Sequence, residues 1–550
     1  MPPLSSPTLS SSLTIALAFG APAAAQQLEP CPTAQLSPAP PAEYIDFGAP
    51  LVYSQGLLAA AALAPWYGAP GDPPDSSSVH TWRRLPDGAW EPLPELGPLS
   101  PEKSFGYSLG LSDARLVVGH PHLSAASREA GRAEVYALVG EAWVHEATLA
   151  LPSGHDDDDF GYAVAVDGDT AVVGAPGLFL PGLAVAGAFV YRRTGAGEWV
   201  QTTALLSVDD PFFGRAVAID GETLAVGAPT AGAGQAKVHV YERAHGGWTL
   251  AATVADPLQP GDDDFGRALD LDGDLLAVGN SSFVERVVLF RRGLEGEWAL
   301  EQVLESPLDD SSAWFGDAVA VDGERLVVGA WLAQGWPASS AFSGAAVVYE
   351  RGPGGWVVLT EVVPQSFHPV LPPSPGIGFE LGRAVALDGD LVIAGASQGF
   401  SSTGDYDGAV YLIELVPPAP LVGCPGELSL AVGGVQFLEV DAGPAHAGEL
   451  HLLLGSSTGT TPATPLDGVL VPLVPDAYSL FTIASANQAP LIGTLGVLDS
   501  AGAATPKFRL TPGTEPALAG ALLHHASVVF DSGSGQAVFA TNAVPLQLVP

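Results

Sequence analysis

Along most of this chain, short apolar runs alternate with punctuation rich in glycine, aspartate and proline. Phe160 to Pro176, FGYAVAVDGDTAVVGAP, shows the unit. Residues 163–166 are short and almost wholly apolar, as a strand buried on both faces would be. Asp167-Gly168-Asp169 predicts a tight hairpin turn, because glycine tolerates positive φ. Residues 171–173 predict a second buried strand. Gly174-Ala175-Pro176 ends it, with a small residue where backbones crowd and a proline that cannot join a ladder.

The unit recurs. A Phe-Gly pair opens it at Phe47, Phe105, Phe160, Phe213, Phe265 and Phe315, and Leu381-Gly382 opens a seventh copy; the spacings run from 50 to 66 residues. An Asp-Gly pair follows at Asp167, Asp220, Asp272, Asp322 and Asp388, while the first two copies carry Gln55-Gly56 and Ser112-Asp113 there. Each unit adds a third apolar strand, such as Ala188-Phe189-Val190-Tyr191. In six of the seven a tryptophan follows (Trp90, Trp143, Trp199, Trp248, Trp298, Trp356) and begins a fourth. Four antiparallel strands repeated around an axis make a β-propeller, here with seven blades over residues 31–420. The seventh copy lacks its own fourth strand. Leu36 precedes Phe47 by the same 11 residues that separate Leu304 from Phe315, so residues 31–37 are expected to complete the last blade. Such closure removes an exposed sheet edge. The fixed place of the phenylalanines and tryptophans predicts packing between blades.

After about Leu421 the repeat stops. Residues 424–550 show about eight short strand patterns, among them 435–440, 449–454, 478–483 and 526–530, separated by turns such as Gly433-Gly434. They predict a small C-terminal β-sandwich, so the fold class is all-β in two domains. His524-His525 opens one strand there, and alternation should send one ring inward and one outward. The two cysteines, Cys31 and Cys424, bracket the repeat. A disulfide between them would clasp the ring; two separate thiols are the alternative.

The formal charge is −40, from 60 acidic and 20 basic residues. It argues against nucleic acid or an anionic membrane as partner. Residues 13–19 form a short apolar core ahead of Ala23-Ala24-Ala25, the pattern of an export signal over residues 1–25, although no Lys or Arg precedes it. No apolar stretch of about 20 residues follows, so no transmembrane segment is expected. The implied location is secreted or at the cell surface.

The pattern FG…AVAVDGD…VVGAP…VYxR…W resembles the FG-GAP repeat family, the blade type of integrin α-subunit heads and of many exported bacterial proteins. The resemblance covers about residues 31–420. It implies adhesion or binding of an extracellular protein or carbohydrate, often with calcium, and no catalysis. No complete DxDxDG calcium loop occurs in the chain. A monomer is expected.

Alternating strand direction puts the loops before each Phe-Gly and after each Gly-Ala-Pro on one face. That face carries the acidic runs and the longest loops, where binding usually resides. Asp157, Asp158, Asp209, Asp262, Asp263 and Asp309 are the candidates for a hard cation such as calcium. Their other reading is solvated turn residues, and Asp159 and Asp264, directly before phenylalanine, are the expected cappers. Trp331, Trp336 and Tyr406 lie in long loops outside the repeat pattern and are candidates for stacking against a glycan. No HExxH, Gly-x-Ser-x-Gly or phosphate loop occurs. Binding or adhesion is therefore the first functional reading. The alternatives are an envelope-attachment protein tethered by its C-terminal domain, and a polysaccharide hydrolase or lyase.

Overall fold

The computed structural model describes residues 32–36 and 46–549, with gaps in loops, the longer ones at 64–76, 122–130, 334–342, 364–379 and 398–407. Among the described residues are seven four-stranded antiparallel sheets. The third is representative: Val164–Asp167, Thr170–Ala175, Ala186–Arg193 and Trp199–Ser207, hydrogen-bonded in that order. The first strands of successive sheets touch one another in cyclic order, and the first strand of the seventh sheet touches that of the first. The sheets therefore close a ring around an axis, a β-propeller. Closure comes from the start of the chain: Pro32–Leu36 pairs antiparallel with Ala409–Glu414, Leu36 opposite Val410.

The cores lie between sheets. One cluster joins Val117, Ala133 and Val135 of the second sheet to Phe160, Val164 and Ala171 of the third. All six repeat phenylalanines are at most 1% exposed, and Leu381 takes the same buried place. Tryptophans beginning the fourth strands reach back to the preceding sheet: Trp143 Nε1 donates to Thr81 at 2.9 Å and Trp199 Nε1 to Glu146 at 3.0 Å. The closing glycine has a sharper cause. A Cβ on Gly174 would lie 1.9 Å from the carbonyl oxygen of Gly214 in the next sheet, so the two backbones meet where no side chain fits.

The Asp-Gly pair does more than turn the chain. Asp167 is still paired, opposite Thr170, so the two-residue turn is Gly168-Asp169, with Gly168 at φ +51°. The Asp167 side chain is thereby free to reach the next sheet, where its Oδ2 accepts the Gly221 N–H at 2.8 Å. Asp220 accepts likewise from Gly273 at 2.6 Å, Asp272 from Gly323, and Asp322 from Gly389. Asp388 accepts the Tyr53 hydroxyl at 2.8 Å. Where the pair is missing, Ser112 Oγ accepts from Gly168 at 3.0 Å and Gln55 Nε2 donates to Asp113 at 3.0 Å. Every adjacent pair of sheets is thus latched at this end of the ring.

From Leu421 onward the chain forms a five-strand and a six-strand sheet. Leu491, Phe508 and Leu510 of one share a core with Leu428, Leu523, Leu546 and Leu548 of the other, so the two sheets pack face to face. One expectation fails. Residues 478–483 lie not in a strand but in the helix Ala477–Ala484. Its apolar run misled; the deciding signal is Asp476, whose carboxylate accepts the Ser479 N–H while Ser479 Oγ accepts the Asp476 N–H, a capping box. His525 is fully buried and His524 partly exposed, as alternation required. Cys31 lies outside the described residues, and with it the Cys31–Cys424 pairing. Among the described residues no helix is long and apolar enough to cross a membrane.

Candidate functional site

At the loop-bearing end of the ring the second to seventh sheets each begin with a four-residue turn, X-Phe-Gly-Y, with Leu381 in place of Phe in the seventh. The N–H of Y returns to the carbonyl of X: Tyr107 to Ser104 at 3.1 Å, Tyr162 to Asp159 at 3.0 Å, Arg215 to Phe212 at 3.0 Å, Arg267 to Asp264 at 3.1 Å, Asp317 to Trp314 at 3.2 Å, Arg383 to Glu380 at 3.3 Å. The turn glycines have φ between 85° and 94°. That pattern is a type II turn, which needs glycine at its third place. The phenylalanine at the second place plugs the core between sheets. The X residue takes positive φ at Ser104, Asp159, Phe212, Trp314 and Glu380, a conformation uncommon outside glycine. The Y residue is then delivered to the axial end of the innermost strand.

These Y residues meet across sheet boundaries. The Tyr107 and Tyr162 rings are 5.1 Å apart. The Arg215 guanidinium lies 5.0 Å from the Tyr162 ring and 5.8 Å from that of Phe212. Arg267 pairs with Asp317 at 3.2 Å and lies 5.3 Å from the Trp314 ring. Arg383 stands 4.2 Å over Trp331, whose ring is 5.4 Å from that of Trp314. Arginine, tyrosine and tryptophan thus line the mouth of the axis. Burial, with Tyr162 beside it, pushes the Tyr107 phenol far above its ordinary value, so it remains a neutral hydrogen-bonding hydroxyl. The Trp331 indole nitrogen is buried and has no hydrogen-bond partner among the described residues.

Carboxylates deeper in this end are already engaged. Asp210 holds Lys237 at 2.9 Å and His239 at 3.0 Å; burial opposes its ionisation, but the Lys237 hydrogen bond and the His239 charge hold its pKa below the ordinary carboxylate value. Asp256 is buried against Arg286 at 3.1 Å and Asn280 at 3.0 Å, a pair that keeps an otherwise costly charge compensated.

Of the residues singled out in the sequence, Trp331 joins the mouth, against Arg383 and Trp314. Asp209 is exposed beside the Asp210 cluster. Asp158 is fully buried, not presented to solvent, because the burial of nearby Phe160 draws the end of its loop into the fold. Asp159 and Asp264 accept the turn hydrogen bond through their backbone carbonyls. Asp157, Asp262, Asp263, Asp309, Trp336 and Tyr406 lie outside the described residues. Among the described residues no three His, Cys, Asp or Glu side chains converge as metal ligands. The residue after each Phe-Gly was missed. Its signal was present: Tyr107, Tyr162, Arg215, Arg267, Asp317 and, after Leu381-Gly382, Arg383 stand at one register of the repeat, where the first copy has Ala49.

The FG-GAP repeat family model matches residues 143–191, from the tryptophan of the second sheet through the third strand of the third. No match was found among curated proteins. Among solved structures, the β-propeller domain of the Trilobed protease from Pyrococcus furiosus is similar at 8% identity and a TM-score of 0.40, over 68% of this chain and 99% of that one. A protein from Bacteroides fragilis, provisionally given as a 6-phosphogluconolactonase, is similar at 13% identity and a TM-score of 0.39, over 57% of this chain and 83% of that one. Both are too distant to bear on function.

Proposed function

From the premise that the ring is an FG-GAP β-propeller, we propose that the protein is a secreted or cell-surface binding protein. It engages an extracellular carbohydrate or protein at the axial mouth, without catalysis. One observation carries this reading. Around a ring whose structural positions repeat, the residues after Phe-Gly diverge in chemistry while their side chains still meet. Rigid turns that deliver varied polar and aromatic groups to one concave place suit recognition. The test is a glycan and protein array probed with the intact chain and with Tyr162→Ala. A ligand whose binding falls at least about tenfold in the variant supports the reading; ligands bound equally by both place the binding surface elsewhere.

A second reading, attachment through the C-terminal sheets, has its own observation. Leu480 and Ile483 of the short helix are 69% and 52% exposed, and Leu470 nearby in the sequence is 67% exposed. Such residues suit a contact with another surface. A chain ending after residue 418 that loses its location in cells but keeps its ligand would favour the tether.

A further inference from the structure

We infer that the ligand of the axial mouth is a sparsely charged, uronate-bearing saccharide, and that Arg215 receives its carboxylate. This rests on the binding reading above and goes beyond it in naming the ligand's chemistry. The chain has only 20 basic residues against 60 acidic ones. Most arginines of the propeller are already offset. Arg291 and Arg351 each reach Glu301 at 2.6 Å, Arg193 reaches Glu146 at 2.6 Å, and Arg84 pairs with Glu414. At the mouth, Arg267 is offset by Asp317 and Arg383 lies 3.7 Å from Glu380. Arg215 differs: it is half-buried and forms no ion pair among the described residues. Its partners are the rings of Tyr162 and Phe212.

A guanidinium resting on aromatic rings is held in place with its N–H edge still open. That planar fork matches a carboxylate in bidentate fashion, and partial burial strengthens the pair. The surrounding groups select a sugar. Tyr107, Tyr162 and Phe212 offer flat apolar surface for a pyranose ring, and the Tyr107 phenol, kept neutral by burial, lies within the same patch. The net charge sets the density. A polyanion would meet the field of a chain at −40, whereas one carboxylate among neutral sugars needs only the local contact, inside a screening length of about 8 Å at physiological salt.

The experiment is calorimetric titration of the intact chain with four probes: a neutral oligosaccharide bearing one glucuronate, the same compound with its carboxylate reduced to the alcohol, polygalacturonate, and an acidic peptide. The glucuronate compound is expected to bind about tenfold to a hundredfold more tightly than its reduced form, and more tightly than polygalacturonate or peptide. Arg215→Gln should abolish the difference between the first two probes, and Arg215→Lys should restore only part of it. Unchanged thermal unfolding of both variants excludes a folding effect. Equal affinity for glucuronate and reduced probes, a preference that survives Arg215→Gln, or no binding of the glucuronate probe overturns the inference. If the reduced probe or the peptide binds at the mouth in those cases, and Tyr162→Ala weakens it, the binding reading still stands. If Tyr162→Ala alters no ligand, that reading fails as well.

Discussion

The two ends of the ring are built on the same strands and treat their side chains in opposite ways. At the turn end, a carboxylate-to-glycine latch joins four neighbouring pairs of sheets, Asp388 accepts the Tyr53 hydroxyl at a fifth, and where the Asp-Gly pair is lost Ser112 or Gln55 makes the link by other atoms. At the loop end the backbone is equally regular, with one type II turn after another, yet the fourth turn residue changes from tyrosine to arginine to aspartate. A position that must hold neighbouring sheets tolerates only chemistry that makes the link. A position that points into the axis is released from that duty. Repetition therefore marks what assembles the ring, and departure from it marks what the ring can present.

The strongest way to break this contrast is at the contact that both ends depend on. Gly174→Val places atoms where the Gly214 carbonyl oxygen already sits, 1.9 Å from the new Cβ, and neither atom belongs to a flexible group. The expected cost is about 3 kcal/mol or more, seen as a large drop in the unfolding midpoint or as failure to fold. Gly195→Ala is the control. Its Cβ meets nothing within 4 Å, and its effect should stay within about 0.5 kcal/mol. Two variants with equal stability would mean that sheet-to-sheet crowding does not set the glycine.

A milder change separates the two ends. Asp272→Ala removes the carboxylate that receives the Gly323 N–H. Water can reach that exposed group, so the expected loss is about 0.5–1.5 kcal/mol in urea unfolding. Ligand binding at the mouth should not change. Arg215→Gln should do the reverse, weakening binding with little effect on stability. If Asp272→Ala impaired binding as much as Arg215→Gln does, the division of labour between the ends would collapse.

The C-terminal sheets offer a third test, through pH. His525 is fully buried between the Tyr478 hydroxyl at 2.8 Å and Gln436 Oε1 at 3.1 Å, and burial lowers its pKa to about 4. The unfolded chain takes up that proton first as pH falls below the ordinary histidine value. This part of the stability is therefore whole above about pH 6.5 and is lost on the way down to pH 4. Loss of near-ultraviolet signal and faster hydrogen exchange in these sheets at pH 4.5, both reduced in His525→Gln, are expected. An unaltered acid response in the variant would assign the sensitivity to other groups.

Much of the ring could be read from the sequence because its determinants are local and repeated. Phe160 to Pro176 states the strand, turn and contact glycine in order, and the 11-residue interval before Phe47 was enough to place Pro32–Leu36 on the last sheet. The latch could not be read. It depends on Asp167 being the last paired residue and not part of the turn, a register difference of one. The helix at Ala477–Ala484 was hidden by an apolar run. It inserts Tyr478 and Thr482, four residues apart, toward the sheets and leaves Leu480 and Ile483 outside. The mouth was hidden for a different reason. Attention to acidic runs and long loops favoured surface abundance, whereas Arg215 and Tyr162 are brought together only by neighbouring sheets about 53 residues apart in the repeat. Of the described residues singled out in the sequence, Trp331 alone stands at the mouth, beside Arg383 and Trp314.

The last test lies between the two ends, on the innermost strands. Asp270 stands where four of the six other innermost strands carry Ala165, Ala218, Ala320 and Ala386, and the remaining two Val52 and Gly110. Its carboxylate accepts the Leu271 N–H at 3.0 Å and, across the sheet boundary, the Val321 N–H at 2.8 Å. Burial, aided by the charges of Asp272 and Asp220, raises its pKa to about 7 in spite of those two hydrogen bonds. The folded chain therefore holds this proton more tightly than the unfolded chain does. Stability from this group is fully present below about pH 4 and declines as pH rises through 7, beyond which it is lost. Asp270→Asn keeps an acceptor for the Val321 N–H and removes the titration. The variant should match the parent chain near pH 4 and exceed its stability at pH 8, read as the difference between two urea-unfolding curves at each pH, so that the many other carboxylates cancel. A difference that does not vary with pH would mean that Asp270 is ionised throughout, and that this stretch of the axis is as wet as the mouth above it.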